Sequence, residues 1–196
     1  MGQSASIASV KRSKKKLDHQ NIHQGRFWVT FPTELGWFGM IGDEETLCRL
    51  SIGHSSEKKA IDQILKLAPE ATEQNWNIAL QKDLQDFALG KNVSFRNYSL
   101  GLPQLTPFQK RVLRETQKIP YGKTITYGAL AKRASSPNAA RAAGSVMSSN
   151  RIPILIPCHR VVGANGHLGG FSAPQGTTLK QKILQMEQLS NESISP

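Results

Sequence analysis

A chain of 196 residues, 38% of them hydrophobic, can bury a core as one large domain or two small ones. No apolar run reaches the roughly 18 to 20 residues of a membrane helix, and the polar first residues lack the apolar core of a secretion signal. Membrane-spanning and secreted classes are therefore excluded and an intracellular protein is expected. The 25 Lys+Arg against 14 Asp+Glu give a net charge of +11, which favours a polyanionic partner such as nucleic acid or an anionic surface.

The basic excess begins in a polar leader, residues 1–25, where Lys11, Arg12, Lys14, Lys15 and Lys16 cluster. Such a run is read as a disordered, solvated tail that grips phosphates. Its first residues also fit the short N-myristoylation pattern at Gly2, a pattern easily met by chance. From residue 26 the pattern changes to short apolar and aromatic runs over 26–31, 36–41 and 46–52, separated by Pro32-Thr33 and by Gly42-Asp43-Glu44. These predict strands of an antiparallel meander. Ser56 followed by Ile61, Ile64, Leu65 and Leu67 has the period of a capped helix, and a second helix is expected over about 75–89, closed by Gly90. Residues 26–100 thus form a small mixed α/β lobe.

After a linker near 92–103, Thr106-Pro107-Phe108-Gln109 reads as a capping box with proline at the first helical position. Thr126 is expected to cap a short helix, and Ser136-Pro137 to open another that runs to about Ser148. Two short helices joined by a tight turn are a helix-turn-helix candidate. The second carries Ala139, Ala140, Ala142, Ala143, Gly144 and Ser145 around the single cation Arg141. Small side chains allow close approach, either of another helix or of a nucleic-acid groove. A broad set of base-reading side chains is missing, so sequence-tolerant binding is expected.

Residues 150–162 form an apolar, strand-like run that abruptly carries Cys158, His159 and Arg160 in succession, while prolines at 153 and 157 restrict the backbone and argue against a fully paired interior strand. A thiol becomes a good nucleophile only when ionised, and neighbouring cationic or hydrogen-bonding groups promote that. Cys48, in an ordinary strand-like run, is expected in or beside the core. A structural disulfide is not expected, and two distant cysteines with five scattered histidines offer no paired metal-ligand spacing. Beyond them, Asn165-Gly166 marks a turn and Gly169-Gly170-Phe171-Ser172 a loop whose backbone can approach a ligand. A last helix from about Thr177 turns Leu179, Ile183, Leu184 and Met186 to the core; a carboxylate such as Glu187 near its end is ordinarily solvated.

The segment Ile156-Pro157-Cys158-His159-Arg160-Val161, with Tyr127, Ala139-Ala140-Arg141-Ala142 and Asn150 upstream and a glycine-rich loop and Glu187 downstream, resembles the O6-alkylguanine-DNA alkyltransferases. The likeness is specific over 106–187 and general over 26–100. It implies an α/β lobe followed by a mostly helical alkyltransferase domain, residues 101–190, with a short tail at 191–196. It further implies irreversible, single-turnover transfer of a methyl or larger alkyl group from O6-alkylguanine in double-stranded DNA to Cys158, by a monomer that needs no cofactor or metal. In that family the helix-turn-helix enters the minor groove and the damaged base is flipped out. Arg141 would fill the vacated stack on a helix surface made of Ala139, Ala140, Ala142 and Gly144. His159 would deprotonate Cys158 through a water, oriented by Glu187. Tyr127 and the Ser172 amide would stabilise the departing base, the carbonyls of Cys158 and Val161 would hold its exocyclic amine, and Asn150 would join the DNA-binding helix to the site. Arg160 reads as a structural hydrogen-bond donor. Phe171, where many relatives carry tyrosine, and the unusual 172–175 stretch depart from the family pattern and bear on alkyl-size preference. The expected place of action is the bacterial nucleoid or the eukaryotic nucleus.

Three other readings of the same residues are open. A non-catalytic lesion binder of the alkyltransferase-like group lacks the acceptor cysteine that this chain has. Regulatory relatives carry extra cysteine-rich metal domains. In a cysteine hydrolase, Cys158 and His159 on an extended run would point to opposite faces, which hinders a direct dyad.

Overall fold

The computed structural model describes residues 25–192. The expected leader, with Gly2, and the end of the expected tail lie outside the described residues. Three long strands, β1 (Phe27–Thr33), β2 (Gly36–Gly42) and β3 (Thr46–His54), pair antiparallel in chain order, as the apolar runs predict. The first turn lies later than expected. Pro32 and Thr33 stay in β1, opposite Trp37 and Gly36, and the chain reverses at Glu34 and Leu35. Gly36 takes φ +96°, where a Cβ would sit 2.6 Å from the His54 carbonyl oxygen. Asp43 closes the second turn by accepting from the amides of Glu45 and Thr46.

Helix α1 (Glu57–Leu67) follows with Ser56 as its cap. Two-residue strands β4 (Thr72–Glu73) and β5 (Ser99–Leu100) add parallel edges, giving the order β4-β1-β2-β3-β5. Helix α2 (Ile78–Ala88) begins later than the periodicity predicts. Asn77 is left-handed and its side chain accepts from Leu80 N, so Trp76 packs in the core ahead of the helix.

Helix α3 (Pro107–Gln117) opens on the predicted capping box between Thr106 and Gln109. Strand β6 (Ile125–Thr126) leads into α4 (Tyr127–Arg133), capped by Thr126, and then comes α5 (Ala140–Ser148). Ser136-Pro137 does not open α5. Those residues form a turn in which Ala139 N donates to Ser136 O, and α5 starts at Ala140 with no side-chain cap. Strand β7 (Val161–Val162) pairs parallel with β6, and α6 (Gly176–Glu192) ends the described chain. Among the described residues the fold is mixed α/β, with a mostly antiparallel sheet and six α-helices.

Two apolar clusters set the position of the reactive segment. The first joins Phe38, Met40, Leu84 and Phe87 of the sheet and α2 to Ile152, Ile154 and Leu155 and to Leu179 and Ile183 of α6. The second packs α3, α4 and α5 through Val112, Leu130, Ala143 and Met147 against Ile156, Cys158 and Val161. The chain therefore passes from one cluster to the other between Leu155 and Ile156. Each large apolar residue so buried contributes roughly 1.5–3 kcal/mol, which anchors the intervening backbone. Among the described residues no helix is long and apolar enough to cross a membrane.

Candidate active site

As its prolines argue, the apolar run at 150–162 is not a fully paired interior strand; only Val161–Val162 pairs, as β7. Leu155 N donates to Pro153 O across Ile154, which takes φ +72°, and Cys158 N donates to Ile156 O across Pro157 at φ −77°, ψ 65°. These are two three-residue turns, the first of a kind that strains a β-branched residue by roughly 1–3 kcal/mol. Cys158, His159 and Arg160 then form one 3₁₀ turn whose Cys158 carbonyl accepts from Val161 N. The prolines are the cause: neither can donate to a ladder, and each fixes φ near −65°. The objection to a Cys–His pair on an extended run disappears with the run.

Behind the turn lies a buried polar network. His159 and Glu187 are both fully buried, with His159 Nε2 2.9 Å from Glu187 Oε1. Arg160 donates through Nε and Nη2 to the same carboxylate at 2.8 to 3.2 Å, and through Nη1 to the Ile119 carbonyl at 2.8 Å. Gly122 N supplies a further donor to Glu187 at 3.0 Å. Arg160 is thus the structural donor the sequence suggests, and its guanidinium also stacks 5.5 Å from the Tyr121 ring. Glu187 is not the solvated carboxylate that its place near a helix end suggests. Burial pushes its carboxyl pKa up, but hydrogen bonds and charge from His159 and Arg160 outweigh that and hold it at about 2.

The carboxylate therefore only accepts, which fixes the proton of neutral His159 on Nε2. Burial lowers the His159 pKa, against the opposing pull of Glu187, so the imidazole rests neutral. Its other nitrogen, Nδ1, is buried and has no hydrogen-bond partner among the described residues. It carries the lone pair of a base. Phe87 from α2 packs against the same ring at 6.2 Å between centroids, so α2 braces the imidazole.

Cys158 is 4% exposed and both cysteines are free thiols. Burial pushes the Cys158 thiol up, while the Asn150 side chain, the Lys180 charge and the backbone amides of Cys158 and His159 favour its thiolate. At rest it is a protected thiol that needs a base. Cys48 lies half-buried in β3, as expected, and burial raises its thiol as well. No group of three or more His, Cys, Asp or Glu among the described residues could hold a metal.

Asn150 joins the end of α5 to this turn: Nδ2 donates to Ile156 O at 2.9 Å and Oδ1 accepts from Ile152 N at 3.0 Å. Tyr127, first residue of α4, is half-buried, and its phenol is pushed up by burial and by the neighbouring Cys158, so it keeps its proton. The loop at 169–172 reaches both sides. Ser172 is exposed and its hydroxyl donates to Ser148 O at 3.4 Å, while Gly169 takes φ +67° against the Tyr127 hydroxyl. On α5 and its approach, Arg141 and Ala142 are exposed, and Ala139, Ala140 and Gly144 half-buried; the ideal Cβ position at Gly144 lies 3.8 Å from the Tyr127 ring.

A Cβ at Gly169 would lie 2.6 Å from the Tyr127 oxygen. Gly169→Ala is expected to displace the phenol and slow chemistry at Cys158 about tenfold or more, as small misplacements do. Single-turnover rates check this; an unchanged rate would separate Tyr127 from the reaction. The residue that sequence reading passed over is Lys180, fully buried on α6 with its amine bonded to the Val161 carbonyl. Its spacing was the available signal, because 180, 183, 184 and 187 fall on one helical face.

Comparison with known proteins agrees with this geometry. Residues 107–189 match the family model described as 6-O-methylguanine DNA methyltransferase, DNA binding domain. A methylated-DNA--protein-cysteine methyltransferase of Methanosarcina acetivorans is 34% identical over 163 residues, covering 82% of this chain and 97% of the relative. The constitutive Bacillus subtilis protein of that name is 32% identical over 166 residues, covering 84% and 96%. The Mycobacterium tuberculosis OGT structure in complex with DNA superposes with a TM-score of 0.69 at 28% identity, covering 84% of this chain and 94% of that one. A buried Cys-His-Glu network on this fold, together with identity along nearly the whole length of such relatives, places the chain in the methylated-DNA–protein-cysteine methyltransferase family.

Proposed function

We propose that this protein repairs DNA by moving the alkyl group of O6-alkylguanine onto Cys158, once per molecule. The observation that carries this reading is the buried Cys158 turn, in which His159 has one nitrogen committed to Glu187 and the other left with a lone pair. His159 Nδ1 accepts the thiol proton through a bridging water. The sulfur then attacks the alkyl carbon in line; the S–C bond forms as the C–O6 bond breaks, and the electron pair leaves with the guanine. The Tyr127 phenol and the Ser172 amide stabilise that anion and supply hydrogen bonds, and the Cys158 and Val161 carbonyls accept from the exocyclic amine. The product is a thioether that nothing in the site hydrolyses, so the protein is spent.

The partner is double-stranded DNA, bound as a monomer. Helices α4 and α5 act as a helix-turn-helix in the minor groove, with small residues Ala139, Ala140, Ala142 and Gly144 at the surface and Arg141 inserted where the damaged base has flipped out. Asn150 couples that helix to the reactive turn. Residues 101–190 carry the chemistry and residues 26–100 brace it. The protein works wherever its DNA lies, in nucleoid or nucleus.

Incubation with a duplex containing O6-methylguanine is expected to add one methylene mass per protein, and peptide mapping to place it on Cys158. Turnover beyond one equivalent would sink the reading. Arg141→Ala is expected to slow repair of the duplex by about 10- to 100-fold, in the range of one lost stacking and phosphate contact, yet leave reaction with free O6-benzylguanine unchanged. Equal slowing of both would remove Arg141 from base extrusion.

A further inference from the structure

Lys180 is fully buried on α6, a rare position for a lysine, and among the described residues no carboxylate pairs with it. Its ammonium donates to the Val161 carbonyl at 2.7 Å and to the Leu168 carbonyl at 2.5 Å, and sits 5.9 Å from the centroid of the Tyr127 ring. Three segments meet at this one charge: the end of the reactive turn, the loop that carries Gly169, and the start of α4. Such burial is costly for a charge unless something in the site offsets it.

We propose, on the alkyl-transfer reading above, that Lys180 is a positioning residue for the reaction, clamping the Val161 and Leu168 carbonyls under Tyr127 and placing a positive charge beside the sulfur as Cys158 ionises. Two observations support the two parts. Leu168 immediately precedes Gly169, whose backbone abuts the Tyr127 hydroxyl, so the clamp fixes the phenol as well as Val161. The Val161 carbonyl that Lys180 holds belongs to the residue that closes the Cys158 turn, which brings the ammonium to the turn that carries the thiol, where its charge favours the thiolate. Burial lowers the Lys180 pKa to about 8, so the lysine remains cationic at neutral pH.

The charged and titratable groups facing it are Cys158 and His159 from the turn, Tyr127 from α4 and, two helical turns along α6, Glu187, whose charge is already engaged by Arg160. In the transfer Lys180 keeps its proton. The thiol proton passes to His159, and the ammonium only lowers the energy of the sulfur anion left behind.

The test uses the full chain with Cys48→Ser, so that a thiol-alkylating reagent reads Cys158 alone across pH. Lys180→Met, which removes charge and donors, is expected to raise the apparent Cys158 pKa by about 1–2 units and to slow single-turnover methyl transfer about 100-fold. Lys180→Gln keeps a donor for the carbonyls without the charge; it should raise the thiol pKa as much but recover part of the rate. A folded Met or Gln variant with the parental thiol pKa overturns the electrostatic role, and a Met variant with the parental rate overturns the proposal altogether. If the Met variant does not fold, the Gln variant decides. If the parent itself takes up no methyl group, the alkyl-transfer reading fails instead, while the thiol titration still judges Lys180.

Discussion

Cys158→Ala is expected to abolish covalent uptake of the methyl group while leaving a folded protein. The sulfur is the only atom of that side chain lost, and the site around it is lined by Ile156 and Val161 in a cluster that tolerates alanine at 131, 134 and 143. Removing it costs about 1 kcal/mol, the centre of the range for single substitutions. Intact-mass measurement and a thermal melt on the same sample separate the two effects: no mass added, and a melting temperature within a few degrees of wild type. Cys48→Ser is the matching control and should leave stoichiometry at one. Cys48 lies in β3, where burial raises its thiol and the Asp43 charge further disfavours its thiolate. Methylation retained in Cys158→Ala, at Cys48 or elsewhere, would refute the assignment of the acceptor.

The reactive protein rests in a state that guards its thiol. Burial raises the Cys158 pKa, and the base that would remove the proton is itself neutral and enclosed. Adventitious electrophiles therefore meet a buried thiol rather than a thiolate. Helix α2 and the core under the sheet take part in that guard. Phe87 packs on the His159 ring, and Ile152, Ile154 and Leu155 lock the strained approach to Cys158 into the core under the sheet.

Much of this was legible in the sequence because it depends on local periodicity and caps. The three long strands, the Ser56, Thr106 and Thr126 caps and the core face of α6 all follow from spacing. Strands of two residues, such as β4 to β7, have no period to read and exist only through their partners. The start of α5 was misplaced because Ser136-Pro137 suits both a helix opening and a turn, and only the Ser136–Ala139 hydrogen bond decides between them. The apolar run before Cys158 has the composition of a strand, and its prolines, which argue against full pairing, make it a pair of tight turns. For the site, Cys158, His159 and Arg160 announced themselves by adjacency. The enclosure of Glu187 and Lys180 did not, since it depends on α6 crossing behind the 3₁₀ turn, a contact between residues more than twenty positions apart for Glu187.

The largest effect short of removing the nucleophile is expected at Glu187, and its two variants should fail differently. Glu187→Ala leaves Arg160 buried without its carboxylate and should destabilise the fold by roughly 3–5 kcal/mol. Glu187→Gln keeps the volume and can still accept from Arg160, but its amide nitrogen then faces His159 Nε2. That nitrogen must become the acceptor, the imidazole proton moves to Nδ1, and the base that serves Cys158 is lost. Methyl transfer should fall about 10²- to 10⁴-fold, the usual worth of a positioned general base, in a protein that still melts cooperatively. The pH dependence gives the sign independently. Folding lowers the Glu187 pKa from its ordinary 4.5 to about 2, so its stabilisation is complete above the unfolded value and disappears as pH falls from about 4.5 towards 2. Wild type should therefore lose stability across that interval in denaturant titrations, and Glu187→Gln should lose distinctly less. Equal acid sensitivity in the two proteins, or a Gln variant that transfers methyl at the wild-type rate, would show that the carboxylate neither holds the network together nor sets the tautomer of His159.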